Sequence, residues 1–149
     1  MKKVLVILFL SISFLGFSQK VKLKKDKVII DDVEVYKFEK EGLLTTFSTL
    51  ASSEEFISVL STEYQERNDA YYRTPNPSKY GMSPMRSAFV FTVKFLKSGK
   101  ELVTEMAPKD VIKAVFKANL VDESGKIDDE KLGVFITKYN NENLKLKIN

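Results

Sequence analysis

Apolar and polar residues alternate most cleanly over residues 87–106, SAFVFTVKFLKSGKELVTEM. Phe89, Phe91, Val93 and Phe95 alternate with Ala88, Val90, Thr92 and Lys94. A period of two places the four large residues on one face of a strand. A two-residue turn at Ser98-Gly99 would fold the stretch into a hairpin, with Phe95 opposite Leu102, Val93 opposite Thr104 and Phe91 opposite Met106. Lys94–Val103 and Thr92–Glu105 then fall on the other face. The pattern predicts a core wall on which the flanking elements pack.

Upstream, residues 21–39 read as short strands. Val28 and Ile30 alternate before Asp31-Asp32, and Val33 and Val35 after it, with Lys25-Asp26 a second turn. Asp31 and Asp32 could be taken for a carboxylate pair. On a strand, however, neighbours point to opposite faces, so they read as turn residues. Gly42 breaks the chain, residues 43–50 form a further strand anchored by Phe47, and residues 51–54 turn. Residues 55–64 fit two patterns. As a strand, Phe56, Ser58, Leu60, Thr62 and Tyr64 share a face; as a helix, Ser52 and Glu55 form a capping box and Phe56, Leu60 and Tyr64 a stripe. The Ser, Thr and β-branched content and the hairpin setting favour the strand.

Residues 65–86 are irregular, punctuated by Pro75, Asn76, Pro77, Gly81 and Pro84. They are also rich in recognition side chains, among them Arg67, Met82 and Met85. Tyr and Arg most often carry binding energy, and long loops in compact domains are often functional. Tyr71, Tyr72, Arg73, Tyr80 and Arg86 are therefore the candidate ligand- or partner-binding residues. The alternative is a surface insertion whose tyrosines only cover a sheet edge.

After the hairpin the period changes to 3.6. Pro108 suits a first helical position, Asp110 the first turn, and Val111, Ile112, Val115 and Phe116 form one stripe that Asn119 ends. A second helix starts at Asp128 as N-cap, with Ile127 and Leu132 flanking the cap and Leu132, Phe135, Ile136 and Tyr139 on one stripe. Asn140-Asn141 stops it. Leu144, Leu146 and Ile148 alternate with Lys145 and Lys147, which predicts an edge strand. The predicted core sets Phe89, Phe91, Val93, Phe95 and Leu102 against Val111, Val115, Phe116, Leu132, Phe135 and Ile136.

The first eighteen residues stand apart from this domain. Lys2-Lys3, an apolar run over residues 4–15, and small Gly16 and Ser18 before Gln19 form the three-part layout of a signal peptide. The run is short for a bilayer span, which needs about 20 residues; a retained N-terminal anchor is the alternative. Cleavage leaves a single domain, residues 19–149. The leader takes two of the 24 Lys+Arg and no acid, so 22 remain against 20 Asp+Glu and the basic excess nearly vanishes. The densest basic cluster, Lys20 to Lys27, suits a lysine-protected edge strand better than a nucleic-acid surface. The leader with its Phe-Ser-Gln junction, and the layout of hairpins followed by a helix pair, resemble small exported proteins of Bacteroidetes-type Gram-negative bacteria. The resemblance implies export to the periplasm or beyond, and carries no activity or site.

Composition narrows the chemistry. The chain has no Cys and no His. It therefore has no disulfide, no lipid-bearing cysteine, no Ser-His or Cys-His nucleophile and no ordinary zinc site. No glycine falls in a phosphate-loop pattern. The stretch Asp122-Glu123-Ser124-Gly125-Lys126-Ile127-Asp128 is reminiscent of a calcium loop between helices. Aligned on Gly125, it puts Leu120 at the first ligand position and Lys131 where a bidentate Glu is required, which argues against calcium. The sequence thus predicts an α+β fold, an antiparallel β-meander with two C-terminal helices packed on one face. Its expected role is an exported, non-enzymatic binding or structural module of the bacterial envelope. No cofactor, no metal and no nucleic acid are expected; the partner is a protein or envelope ligand, and membrane contact comes only through an uncleaved leader. The alternative is a small carboxylate-dependent hydrolase of envelope polymers, which needs two acids converging about 5–10 Å apart.

Overall fold

A computed structural model describes residues 19–148. The predicted leader, residues 1–18, lies outside the described residues. Seven strands follow one another in a single antiparallel sheet whose spatial order is the chain order. They are β1 Val21–Lys24, β2 Lys27–Ile30, β3 Val33–Glu41, β4 Leu44–Thr49, β5 Glu55–Arg67, β6 Met85–Phe95 and β7 Glu101–Thr104. A one-turn helix α1, Asp69–Arg73, and a 3-10 turn, Pro77–Tyr80, interrupt the β5–β6 connection. Helices α2, Pro108–Lys117, and α3, Asp129–Tyr139, precede a terminal 3-10 helix, Glu142–Lys147.

The first hairpins turn where the sequence places aspartates. Lys25-Asp26 and Asp31-Asp32 all have positive φ, between 47° and 65°. A two-residue turn that follows the sheet's twist needs two such residues, and Asp tolerates the conformation. The two adjacent carboxylates then part. Asp31 Oδ1 accepts the Lys20 backbone N–H at 2.9 Å, while Asp32 Oδ1 pairs with Lys22 Nζ at 2.6 Å.

Helices α2 and α3 lie on one face of the sheet. α2 follows β7 in sequence but packs against β1, whereas α3 packs against β7. The pair therefore spans the sheet from edge to edge. Val111, Ile112 and Val115 of α2 and Leu132 and Phe135 of α3 bury against Val28, Phe47, Val59, Val93, Phe95 and Leu102. β5 contributes through a bulge. Phe47 pairs with Ile57 and Ser48 with Glu55, so Phe56 is an extra residue. Phe56 and Ile57 both enter the helix-side core, and Tyr36 packs on Phe56 with ring centroids 5.1 Å apart. The strand reading of residues 55–64 holds, but the uniform alternation expected from Phe56 to Tyr64 does not.

Three further expectations are corrected. The β6–β7 register is two residues shorter than a Ser98-Gly99 turn implies: Val93 pairs with Leu102, Phe91 with Thr104, Thr92 with Val103 and Lys94 with Glu101. A four-residue loop, 96–99, closes the hairpin. Gly99 donates its N–H to Phe95 O at 2.8 Å, and Phe95 N–H bonds Lys100 O at 2.9 Å. A shift of two keeps every side chain on its predicted face, because the side-chain period is two. Phe89, expected in the core, has the right face but is 44% exposed, since the strand runs past the helices there. The tail forms a 3-10 helix instead of an edge strand. Its Leu144 packs against Val90 and Val103 on the face opposite α2 and α3, forming a second, smaller core.

The edge of β7 is closed by the two asparagines at the end of α3. The Asn140 side chain accepts the Val103 N–H, and the Asn141 N–H donates to Val103 O, both at 2.8 Å. At the other end of α3, Asp128 caps the helix by accepting the Lys131 N–H at 3.1 Å. That bond holds the Asp128 carboxyl below its ordinary pKa. Between the folded and unfolded pKa values the unfolded chain binds more protons, so this stabilisation is present above the ordinary carboxylate range and lost as pH falls through the folded value. Asp128→Ala is expected to lower the neutral-pH Tm by a few degrees. The gap to the parent protein should close on acidification; melting curves across the acid range measure it.

Candidate functional site: the β5–β6 arm

β5 has 13 residues and β6 has 11, against 6 in β4 and 4 in β7. The neighbours therefore leave before the central hairpin ends. β4 leaves at Leu44 opposite Leu60, with a last bond from Ser61 N–H to Leu43 O, and β7 reaches only Phe91. From Thr62↔Val90 to Arg67↔Met85 the two strands pair only with each other. The result is a two-stranded arm, roughly 20 Å long at the usual rise of a strand.

The tip hangs from a neck at Asn68, whose backbone N–H bonds Pro84 O at 2.9 Å and whose side-chain amide bonds Ser83 O at 2.8 Å. Asp69–Arg73 makes one helical turn, which Thr74 ends by bonding Ala70 O through both its N–H and its hydroxyl. Asn76 and Gly81, both left-handed, bracket the Pro77–Tyr80 turn. The prolines and glycine thus shape two single turns where irregular chain was expected.

Of the five residues singled out from sequence, the structure brings two together. Tyr71 and Tyr72 stand edge to face, centroids 5.2 Å apart. The Arg67 guanidinium lies 4.2 Å over the Tyr72 ring, and Tyr72 is still 54% exposed. Arg67 belongs to this cluster, although sequence reasoning left it outside the site. Its signal was position: it is the last residue of β5, where the strand's face meets the tip. Tyr80 stands on the 3-10 turn, 67% exposed, and Arg73 is exposed at the end of α1.

Arg86 is placed differently. It lies across the strand pair from Glu66, with both Nη2 (2.6 Å) and Nε (2.9 Å) on Glu66 Oε1. Tyr64 donates its hydroxyl to Glu66 Oε2 at 3.1 Å, and Lys147 Nζ from the terminal helix donates to the Tyr64 oxygen at 3.2 Å. Arg86, then Tyr64, holds the Glu66 carboxyl below its ordinary pKa, and the Tyr64 hydrogen bond raises that of Lys147. This network ties the arm to the tail. On the opposite face Phe89 stacks along Phe91 at 6.4 Å, half in water.

Among the described residues no three Cys, Asp or Glu side chains cluster as a metal site. In the former calcium-like loop, Asp122 Oδ1 is already occupied by the Ser124 N–H, the Ser124 hydroxyl and the Lys126 N–H at 2.7–3.0 Å. No described helix is long and apolar enough to cross a membrane. Comparison with protein-family models, with curated proteins and with solved structures returns no significant match.

Proposed function

We propose that the protein is an exported, non-enzymatic binding module of the bacterial envelope, periplasmic or extracellular, which takes its partner at the tip of the β5–β6 arm. One observation carries this reading: the arm outruns both neighbouring strands and ends in exposed tyrosines, one already braced by Arg67. Beyond its base, where Val90 packs on Leu144, the arm is a two-stranded ribbon, which is marginal in water, so its outer length adds little to the fold. Braced aromatics and arginine are what a binding surface uses. The partner is a protein or an envelope ligand, and the Arg86–Glu66 network serves to hold the arm.

The hydrolase alternative has less support. A general acid must stay protonated near neutral pH, which requires a raised pKa. Local hydrogen bonds instead hold the carboxyls of Asp32, Glu66, Asp122, Asp128 and Glu142 below the ordinary carboxylate range.

The double variant Tyr72→Ala/Tyr80→Ala tests the reading. Both rings are exposed, so Tm should stay nearly unchanged, while partner capture by cross-linking from the envelope fraction should fall about 30-fold or more, as for lost hot spots. Unchanged capture would sink the proposal; a large drop in Tm would assign the rings to the fold. N-terminal sequencing of the protein recovered from cells should begin at Gln19, and an intact leader would instead mean a membrane-tethered form.

A further inference from the structure

A cleft of about 550 Å³ opens far from the arm in sequence, between β3, the β4–β5 turn, and the end of α2 with its succeeding loop. Its apolar lining includes Tyr36, Leu50, Phe116 and Val121. Tyr36 and Phe116 meet edge to face at 6.3 Å. Its charged residues are Glu34, Asp122 and Glu123; no Lys or Arg lines it, although the chain carries 24 Lys+Arg against 20 Asp+Glu. The size is that of a small-ligand site.

The acids are held in place. Gly125 is buried with φ +80°, and a Cβ there would lie 3.2 Å from the Thr49 methyl, so the loop packs directly on the end of β4. A bridge between Val121 and Ile127 closes the same loop. Glu34 is compensated by Lys27 at 2.7 Å. Asp122 and Glu123 have no ion-pair partner among the described residues. The hydrogen bonds from Ser124 and Lys126 keep the Asp122 carboxyl below its ordinary pKa, and so charged.

An independent observation lies beneath them. Tyr36 is only 8% exposed, lines the cleft, and has no hydrogen-bond partner for its hydroxyl among the described residues. Burial alone raises its phenol pKa. The hydroxyl oxygen is not among the fully enclosed unpartnered atoms of the described residues, so it is reached from the cleft and is open to a partner supplied from outside the fold.

We propose that this cleft binds an amphipathic cation, a primary ammonium or guanidinium carried on an apolar body. The cation's N–H groups donate to the Tyr36 oxygen and to the Asp122 and Glu123 carboxylates. Its charge lies against the Tyr36 and Phe116 rings, and the apolar body covers Leu50 and Val121. An anion would meet two carboxylates that lack an ion-pair partner among the described residues, and a neutral molecule of the same shape would leave them unused. The chemistry fits a free amine as well as a lysine flanked by apolar residues in a peptide.

The test is a titration of the 15N-labelled full chain with phenethylamine, with uncharged 2-phenylethanol, and with a terminally blocked Leu-Lys-Phe peptide. Saturable amide shifts at Thr49, Leu50, Val121 and Asp122 are expected for the two cations, at least tenfold tighter than for the alcohol. Tighter binding of the peptide than of phenethylamine assigns the site to a peptide lysine; the reverse assigns it to a free amine. Glu123→Gln and Tyr36→Phe, the first on the surface and the second retaining the ring, should each weaken the tighter cation several-fold while Tm is kept. Equal binding of 2-phenylethanol, cation binding unaffected by Glu123→Gln, or no saturable shift at all would overturn the proposal.

Discussion

Phe95→Ala is expected to lower the stability of the domain by about 3–5 kcal/mol, a large fraction of what a domain this size possesses. Phe95 is fully buried. It pairs across strands with Ile57, and its ring meets Phe135 of α3 edge to face at 6.0 Å. It therefore joins the sheet's centre to the helix layer, and its removal leaves a cavity that neither rigid layer can collapse to fill. The comparison that isolates packing is Phe89→Ala. Phe89 lies on the same strand and face, but 44% exposed on the arm. It should cost about 1 kcal/mol or less, because much of its surface is never taken from water. Urea unfolding measures both. Equal costs would contradict the layered packing.

Leu144→Ala is the second large effect, at about 2–4 kcal/mol. Leu144 is 2% exposed and fills the small core made with Val90 and Val103, across the sheet from the main one. Val90 is the arm's first pair with Thr62, where β6 runs on beyond β7. Losing Leu144 thus does more than open a cavity: it frees the tail that brings Lys147 to Tyr64. Hydrogen exchange should accelerate at residues 62–67 and 85–90 well before it does in β2–β4, since sub-global opening follows the weakest packed unit. Uniform acceleration throughout the sheet would mean that the tail supports the whole domain and not the arm.

These two residues also mark where sequence reading succeeds and where it stops. Phe95 was legible because alternation over residues 87–95 has a single interpretation. Leu144 was legible only as apolar. Its alternation with Lys145 and Lys147 matches a strand, but Asn140 and Asn141 already occupy the β7 edge at Val103 that such a strand would need, and the chain coils into a 3-10 helix. The same holds within the site. Tyrosines and arginines marked the tip as a recognition surface, yet composition could not separate Arg67, which braces Tyr72, from Arg86, which is committed to Glu66. That distinction depends on cross-strand register, and register is a relation between residues 20 apart in the chain.

By itself the sequence determined the meander, the turns at the aspartates, the capped second helix and the face on which both helices pack. Each of these follows from interactions within a few residues or from periodicity, which a single chain displays without its partners. Tertiary structure alone decided the β6–β7 register, the bulge that turns Phe56 inward, and the length by which β5 and β6 outrun their neighbours. It alone also brought Tyr36 together with the acids of the α2–α3 loop. These depend on where separate elements end against one another. Propensity is indifferent to that, and only the packing of two layers sets it.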